Sequence, residues 1–233
     1  MKTPLLILAG ISLLSACNSD VKFIYSDEPQ TISFNFNENK QGWQAAFSDY
    51  TADDPEMYEL SSGVLTLPDD NTQSGFFLGG TNRSDDLFMY IKSHFEGLRP
   101  STRYVVNIEM DIYANAGTDC MGIGGAPGES VYMKLGFAET EPEQVDYYLN
   151  VDKGNQSNDG TNAKVLDNIA VADISCDGSE FGYKAIASNA DTEVEFTSNN
   201  DGTIWFFVGT DSGYEGRTEL YYDNIKITVK PAP

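Results

Sequence analysis

The sequence predicts an all-β protein, an antiparallel two-sheet β-sandwich of jelly-roll type, and three observations predict it. Short segments of alternating apolar and polar residues recur along most of the chain. Clusters of turn-forming residues separate them, and no segment carries a convincing helical period. Many short strands of this kind bury their apolar sides only when two sheets pack face to face.

Arg103 to Tyr113 is the clearest strand. Tyr104, Val106, Ile108, Met110 and Ile112 face one way, and Val105, Asn107, Glu109 and Asp111 the other. Tyr221 to Val229 repeats the pattern with Ile225, Ile227 and Val229 directed inward. Further strands are predicted at Thr31–Phe36, Gly63–Leu67, Gly75–Leu78, Leu87–Lys92, Ser130–Phe137, Thr192–Thr197 and Thr203–Gly209. Turn chemistry separates them at Asp69-Asp70-Asn71, Gly79-Gly80-Thr81-Asn82, Arg99-Pro100-Ser101, Asn158-Asp159-Gly160 and Asn200-Asp201-Gly202. In Thr203–Gly209 both faces are apolar: Ile204, Phe206 and Val208 share one, Trp205 and Phe207 the other. No internal repeat is evident.

The N-terminus has a different logic. Lys2 supplies a positive charge, and Leu5 to Leu14 is an apolar run broken only by Gly10 and Ser12, too short to span a bilayer. Leu14-Ser15-Ala16-Cys17 resembles the bacterial lipobox, an aliphatic residue and two small ones before a cysteine whose thiol receives diacylglycerol. The resemblance implies cleavage after Ala16 and lipid on Cys17; the alternative is an ordinary secretory signal with a chance cysteine. More than one acyl chain makes a stable anchor. Asn18 stands where retention at the inner membrane usually involves Asp, which points to the outer membrane of a Gram-negative cell. Residues 1–16 are thus expected to be a signal peptide, residues 17–30 a lipidated tether, and residues 31–233 a single β-sandwich domain.

Composition narrows the partners. The formal net charge is −22, and loss of Lys2 with the signal peptide makes the mature chain one unit more negative. Such a surface repels phosphate backbones, which argues against nucleic acid, and is compatible with divalent cations, basic partners or neutral ligands. Thirteen tyrosines and thirteen phenylalanines supply material for a packed core and exclude a disordered polyanion.

Several segments resemble carbohydrate-binding jelly rolls. Gly97-Leu98-Arg99-Pro100-Ser101-Thr102-Arg103-Tyr104 is similar to a turn-then-strand entry of that family. Phe34-Asn35-Phe36 with Gly42-Trp43 is similar to its first strand, and Tyr221-Tyr222-Asp223-Asn224-Ile225 to its last. The resemblance implies a structural calcium ion near the first and last strands, for which Glu38 and Asp223 offer hard oxygen donors, against solvated surface carboxylates, which are favoured. Trp43 and Trp205 are the residues most able to stack on a sugar ring, against a core role for each, which is favoured. Residues 82–88, 122–131 and 209–216 resemble a family of uncharacterised exported bacterial proteins that carries no activity over.

No catalytic residue emerges. Gly209-Thr210-Asp211-Ser212-Gly213 is superficially similar to the serine segment of chymotrypsin-like proteases, but His94 is the only histidine and lacks the context of a base. Gly122 to Ser130 is glycine-rich, with Glu129 where a phosphate loop carries lysine. One histidine excludes histidine-rich zinc sites. Among 36 acids no glycosidase pair can be singled out. With Cys17 acylated, Cys120 and Cys176 remain, each beside turn residues in an oxidising compartment. A bridge is expected between them; two buried thiols or one reactive thiol are the alternatives.

Three functional classes follow. The favoured one is a membrane-anchored, non-catalytic ligand- or glycan-binding module. A structural or assembly lipoprotein contacting envelope proteins is the alternative, and a secreted hydrolase ranks last.

Overall fold

The computed structural model describes residues 21–233; the expected signal peptide, Cys17 and the first residues of the tether lie outside the described residues. Within them the chain forms β1 (Val21–Lys22), β2 (Gln30–Asn35), β3 (Gln44–Ser48), β4 (Ser61–Thr66), β5 (Ser74–Thr81), β6 (Phe88–Glu96), β7 (Arg103–Ala114) and β8 (Val131–Ala138). Then follow β9 (Gln144–Val145), β10 (Tyr148–Leu149), β11 (Ala163–Asn168), β12 (Gly182–Ala187), β13 (Val194–Thr197), β14 (Ile204–Ser212) and β15 (Arg217–Pro231). A single 3₁₀ turn, Pro55–Tyr58, separates β3 from β4.

Thirteen of these strands make a two-sheet sandwich, and β9 and β10 pair with each other as a separate two-stranded ribbon. The six-stranded sheet runs β1-β6-β14-β8-β11, with β3 beside β1 on the free side of β6. The seven-stranded sheet runs β12-β7-β15-β5-β4, with β13 continuing the edge beyond β12 and β2 continuing the line of β5 along β15. Pairing is antiparallel except for β1 on β6. The alternation read from β7 holds: Tyr104, Val106, Ile108, Met110 and Ile112 are buried between the sheets, as are Leu220, Tyr222, Ile225, Ile227 and Val229 of β15. From the other sheet Met89, Ile91, Phe95, Met133, Leu135, Ile204, Phe206 and Val208 meet them. Burial of this shared apolar surface is the main force holding the sheets together.

Strands that periodicity missed, β3 and β12, place few large apolar side chains in the main core. In β12 only Ile186 enters the core, and β3 reads Gln-Ala-Ala-Phe-Ser. Residues 21–23, expected in the tether, lie against the six-stranded sheet. Val21 and Lys22 pair with Phe95 and Glu96, and Phe23 is buried with its ring stacked on Phe95 at 5.6 Å. An aromatic side chain that finds a pocket at the sheet edge pulls residues 21–23 onto the domain, so the chain is bound to the sandwich well before Thr31.

The long connection from β8 to β11, residues 139–162, lies across the outer face of the six-stranded sheet. Leu149 and Val151 pack there on Phe88, Tyr90 and Phe207, a small second core. Gly136 makes room for it, because a Cβ at that position would collide with the Phe207 ring. At one end of the sandwich Cys120 and Cys176 form a disulfide, with Cα atoms 5.5 Å apart. It joins two loops that a Gly117–Val171 backbone bridge also ties.

Candidate functional site

With the strap over much of one sheet, the outer face of the seven-stranded sheet is the open one, and register organises it into rows. Tyr183 of β12 pairs with Tyr113 of β7, Tyr113 with Tyr221 of β15, and Tyr221 with Phe77 of β5. Tyr113, Tyr221 and Phe77 point away from the core, because their neighbours in sequence point in; Tyr183 lies opposite Tyr113 and, by the alternation of β12, on the face away from the inward Ile186. The result is a row of four aromatic side chains across four strands. Tyr113 and Tyr183 meet edge to face at 5.7 Å, Phe77 and Tyr221 lie 5.0 Å apart, and Phe181 contacts Tyr221 at 5.5 Å. Tyr183 is half exposed, and Phe77 is nearly covered.

The next row is polar: Ala185, Asp111, Asn224 and Asn35. The one after it holds Ala187, Glu109, Lys226 and Ser33. A bulge at Asp223 sets both Asp223 and Asn224 between the inward Tyr222 and Ile225, opposite Asp111. Small side chains at Ala185, Ala187 and Ser33 leave a shallow depression of about 410 Å³, lined also by Glu109, Asp111, Asn224 and Lys226.

Hydrogen bonds join the two kinds of row. Tyr183 Oη donates to Asp111 Oδ1 at 2.5 Å. Asn224 Nδ2 donates to Asp223 Oδ2 at 2.9 Å and lies 3.4 Å from Asp111 Oδ2, and Asn35 Nδ2 donates to Asn224 Oδ1 at 2.8 Å. The bond to Asp111 pushes the Tyr183 hydroxyl up to about 12. Burial, followed by the charges of Asp111 and Asp69, holds the Asp223 carboxyl above the usual carboxylate range. Tyr113 is raised by burial and by Asp69, Asp223 and Asp111. Lys226, the cation of these rows, is engaged by Glu109 at 2.8 Å.

The residues singled out in sequence fall elsewhere. Trp43 is buried at 1% exposure between Phe34 and Phe95, with ring centroids 5.3 and 6.0 Å away, so its indole has no face for a ligand. Trp205 is half-buried on the outer face of the other sheet, 5.0 Å from the His94 ring and below the Lys92 ammonium at 5.8 Å, so the two tryptophans share no site. Glu38 lies exposed beyond β2 and is not among the charges acting on Asp223. Among the described residues no three His, Cys, Asp or Glu side chains gather as a metal set. Ser212 donates to the Tyr214 carbonyl at 2.9 Å, and on β14 it is seven residues, about 23 Å, beyond the Trp205 that pairs with His94.

Sequence reading missed the row itself. Its signal was there in part: the alternation that sends Asp111 outward also sends Tyr113 outward, and a large aromatic at a solvent-facing strand position asks for a reason. Tyr183 gave no such signal, because β12 was not recognised as a strand.

No family model matches the chain, and no curated protein matches it. Solved structures to which the chain is similar include the Clostridium thermocellum endo-1,4-β-D-xylanase 10B CBM22-1–GH10 modules complexed with xylohexaose. That match is 12% identical with TM-score 0.41 and covers 87% of this chain but only 28% of that one. The CBM22-1 xylan-binding domain of Paenibacillus barcinonensis Xyn10C is 11% identical, TM-score 0.40, over 89% of this chain and 99% of its own. TmCBM27, a carbohydrate-binding module that recognises mannan, is 9% identical, TM-score 0.41, over 86% and 98%. These neighbours are carbohydrate-binding modules with β-sandwich folds.

Proposed function

We propose that this chain is a non-catalytic glycan-binding module, held on a membrane by lipid on Cys17, whose ligand lies on the outer face of the seven-stranded sheet. One observation carries the reading: a row of aromatic side chains in register beside a row of carboxylate and amide groups on an open sheet face. A pyranose ring has an apolar face and a rim of hydroxyls. Tyrosine rings suit the first, and Asp111, Asn224 and Asn35 suit the second. The address supports the same role. The tether meets the sandwich at Phe95 and Glu96, and β7 runs ten residues, about 33 Å, from Arg103 near that end to Tyr113. A module anchored there holds its aromatic row away from the bilayer.

A glycan array probed with the purified chain tests the proposal, followed by titration of the best oligosaccharide against Tyr183→Ala and Tyr113→Ala. Tyr183 is half exposed, so its removal should leave the melting temperature nearly unchanged while weakening binding about tenfold. Binding that both variants retain in full would move the ligand off this face. An array without any signal would remove the glycan reading.

A further inference from the structure

We infer that the ligand of this face is a glycan carrying free, protonated amino groups, bound with its ring on the tyrosine row and its ammonium against Asp111. The inference rests on the glycan reading above and narrows its substrate class.

Three carboxylates border the aromatic row: Asp69, Asp111 and Asp223. Among the described residues none of them is in an ion pair with lysine or arginine. Their partners are neutral donors: the Tyr183 hydroxyl and the Asn224 amide for Asp111, the same amide for Asp223, and the Tyr113 hydroxyl for Asp69. Asp223 Oδ1 is buried and accepts no hydrogen bond, in a side chain of a residue only 9% exposed. Lys226, the nearest cation in the rows, is taken by Glu109. The face therefore carries an excess of negative charge that the fold leaves unneutralised. Asp111 is the member lining the open depression.

A ligand lying here strips water from these carboxylates. A neutral sugar would leave their mutual repulsion in place and deepen it as the dielectric falls, and a uronic acid would add another like charge. An ammonium offsets both costs. The acids do not converge as a metal set, so a small ion is a poor fit, whereas a cation fixed to a sugar ring can spread over them. Exposed tyrosine faces add cation–π attraction for the same group.

The test is isothermal titration of the full chain at physiological salt with five probes: hexaglucosamine, hexa-N-acetylglucosamine, cellohexaose, hexagalacturonate and hexalysine. Hexaglucosamine should bind about tenfold more tightly than the N-acetylated and neutral hexamers, and hexagalacturonate should not bind. Asp111→Asn should abolish that preference. Glu28→Gln, the same charge change on an exposed residue near the tether, should leave it intact, which separates a local contact from the general attraction of a polycation to an acidic protein. Equal binding of the neutral or N-acetylated hexamers would overturn the amine assignment and leave the glycan reading standing. Hexalysine binding as tightly as hexaglucosamine would overturn the assignment to a sugar. Failure of every saccharide would overturn both.

Discussion

Lys134 Nζ lies 2.9 Å from Asp211 Oδ2, and neither side chain has any exposed surface. The same ammonium donates to the carbonyls of Lys153 and Asn158, both in the strap that crosses the six-stranded sheet. Lys153 returns from the strap to the same oxygen at 3.0 Å, with Asp86 and Asp49 at 3.5 and 3.9 Å. Burial opposes the charge of Lys134 and of Lys153; for Lys153 the three aspartates outweigh it, and for Lys134 burial prevails. The strap is thus pinned by buried ion pairs, and Tyr90 and Lys92 hold its start through the Pro142 carbonyl.

Removing Lys134 leaves Asp211 with Lys153 and the Gln156 amide as its remaining donors in a buried site. Lys134→Met should cost about 3 kcal/mol, since breaking a buried pair strands its partner. Urea denaturation should show this as a lower midpoint. Combining it with Asp211→Asn should cost less than the sum of the two single changes, because both remove one interaction. A single-variant cost below about 1 kcal/mol would mean the strap does not depend on the pair.

Asp86 makes stability depend on pH. Burial, and then Asp211 and Asp49, push its carboxyl up to about 7 against the attraction of Lys153. A carboxyl raised in the folded state binds more protons there than in the unfolded chain. Its contribution is fully present below about pH 4 and is lost as pH rises through 7. Asp86→Asn should therefore gain stability relative to the native protein on going from pH 5 to pH 8. Asp49 and Asp223, also raised, leave a residual slope in both proteins. Parallel stability curves for variant and native protein over this range would show that Asp86 is not the group responsible.

The core-facing strands were legible because a period of two survives wherever one face is buried, as in β7 and β15. Legibility failed where a second layer covers a sheet. Phe207 and Phe88 point away from the main core yet are fully buried, since the strap reaches them, and no local pattern announces a strap from so distant a part of the chain. Lys134 held a clue: a lysine between Met133 and Leu135 in mid-strand is either solvent-facing or paired, and only the fold shows which. The tyrosine row was illegible for another reason. It is a property of register across four strands, and register is set by packing and turns far from the residues it aligns.

Lipid on Cys17 predicts a fractionation result. Cys17→Ser, expressed in a Gram-negative host, should move from the membrane fraction to the soluble one, with loss of the acyl mass from the N-terminal peptide. Membrane retention at the native level, without lipid at that residue, would refute the anchor.

The disulfide predicts a change in the unfolded state more than in the native one. Cys120 and Cys176 are 56 residues apart, and their loops are also tied by backbone bonds from Thr118 to Val171 and from Val171 to Ala116. Those bonds keep the loops in place when the bridge is absent. The bridge acts instead by closing a long loop in the denatured chain, for which chain entropy gives on the order of 4 kcal/mol. A Cys120→Ala/Cys176→Ala variant should therefore unfold at lower urea. Its denaturant slope should be steeper, because an unconstrained chain exposes more surface. Amide exchange at Thr118 and Val171 should stay protected under native conditions, since those hydrogen bonds do not need the sulfurs. Rapid exchange there, with an unchanged slope, would show the reverse: a bridge that holds the native loops and does little to the unfolded chain.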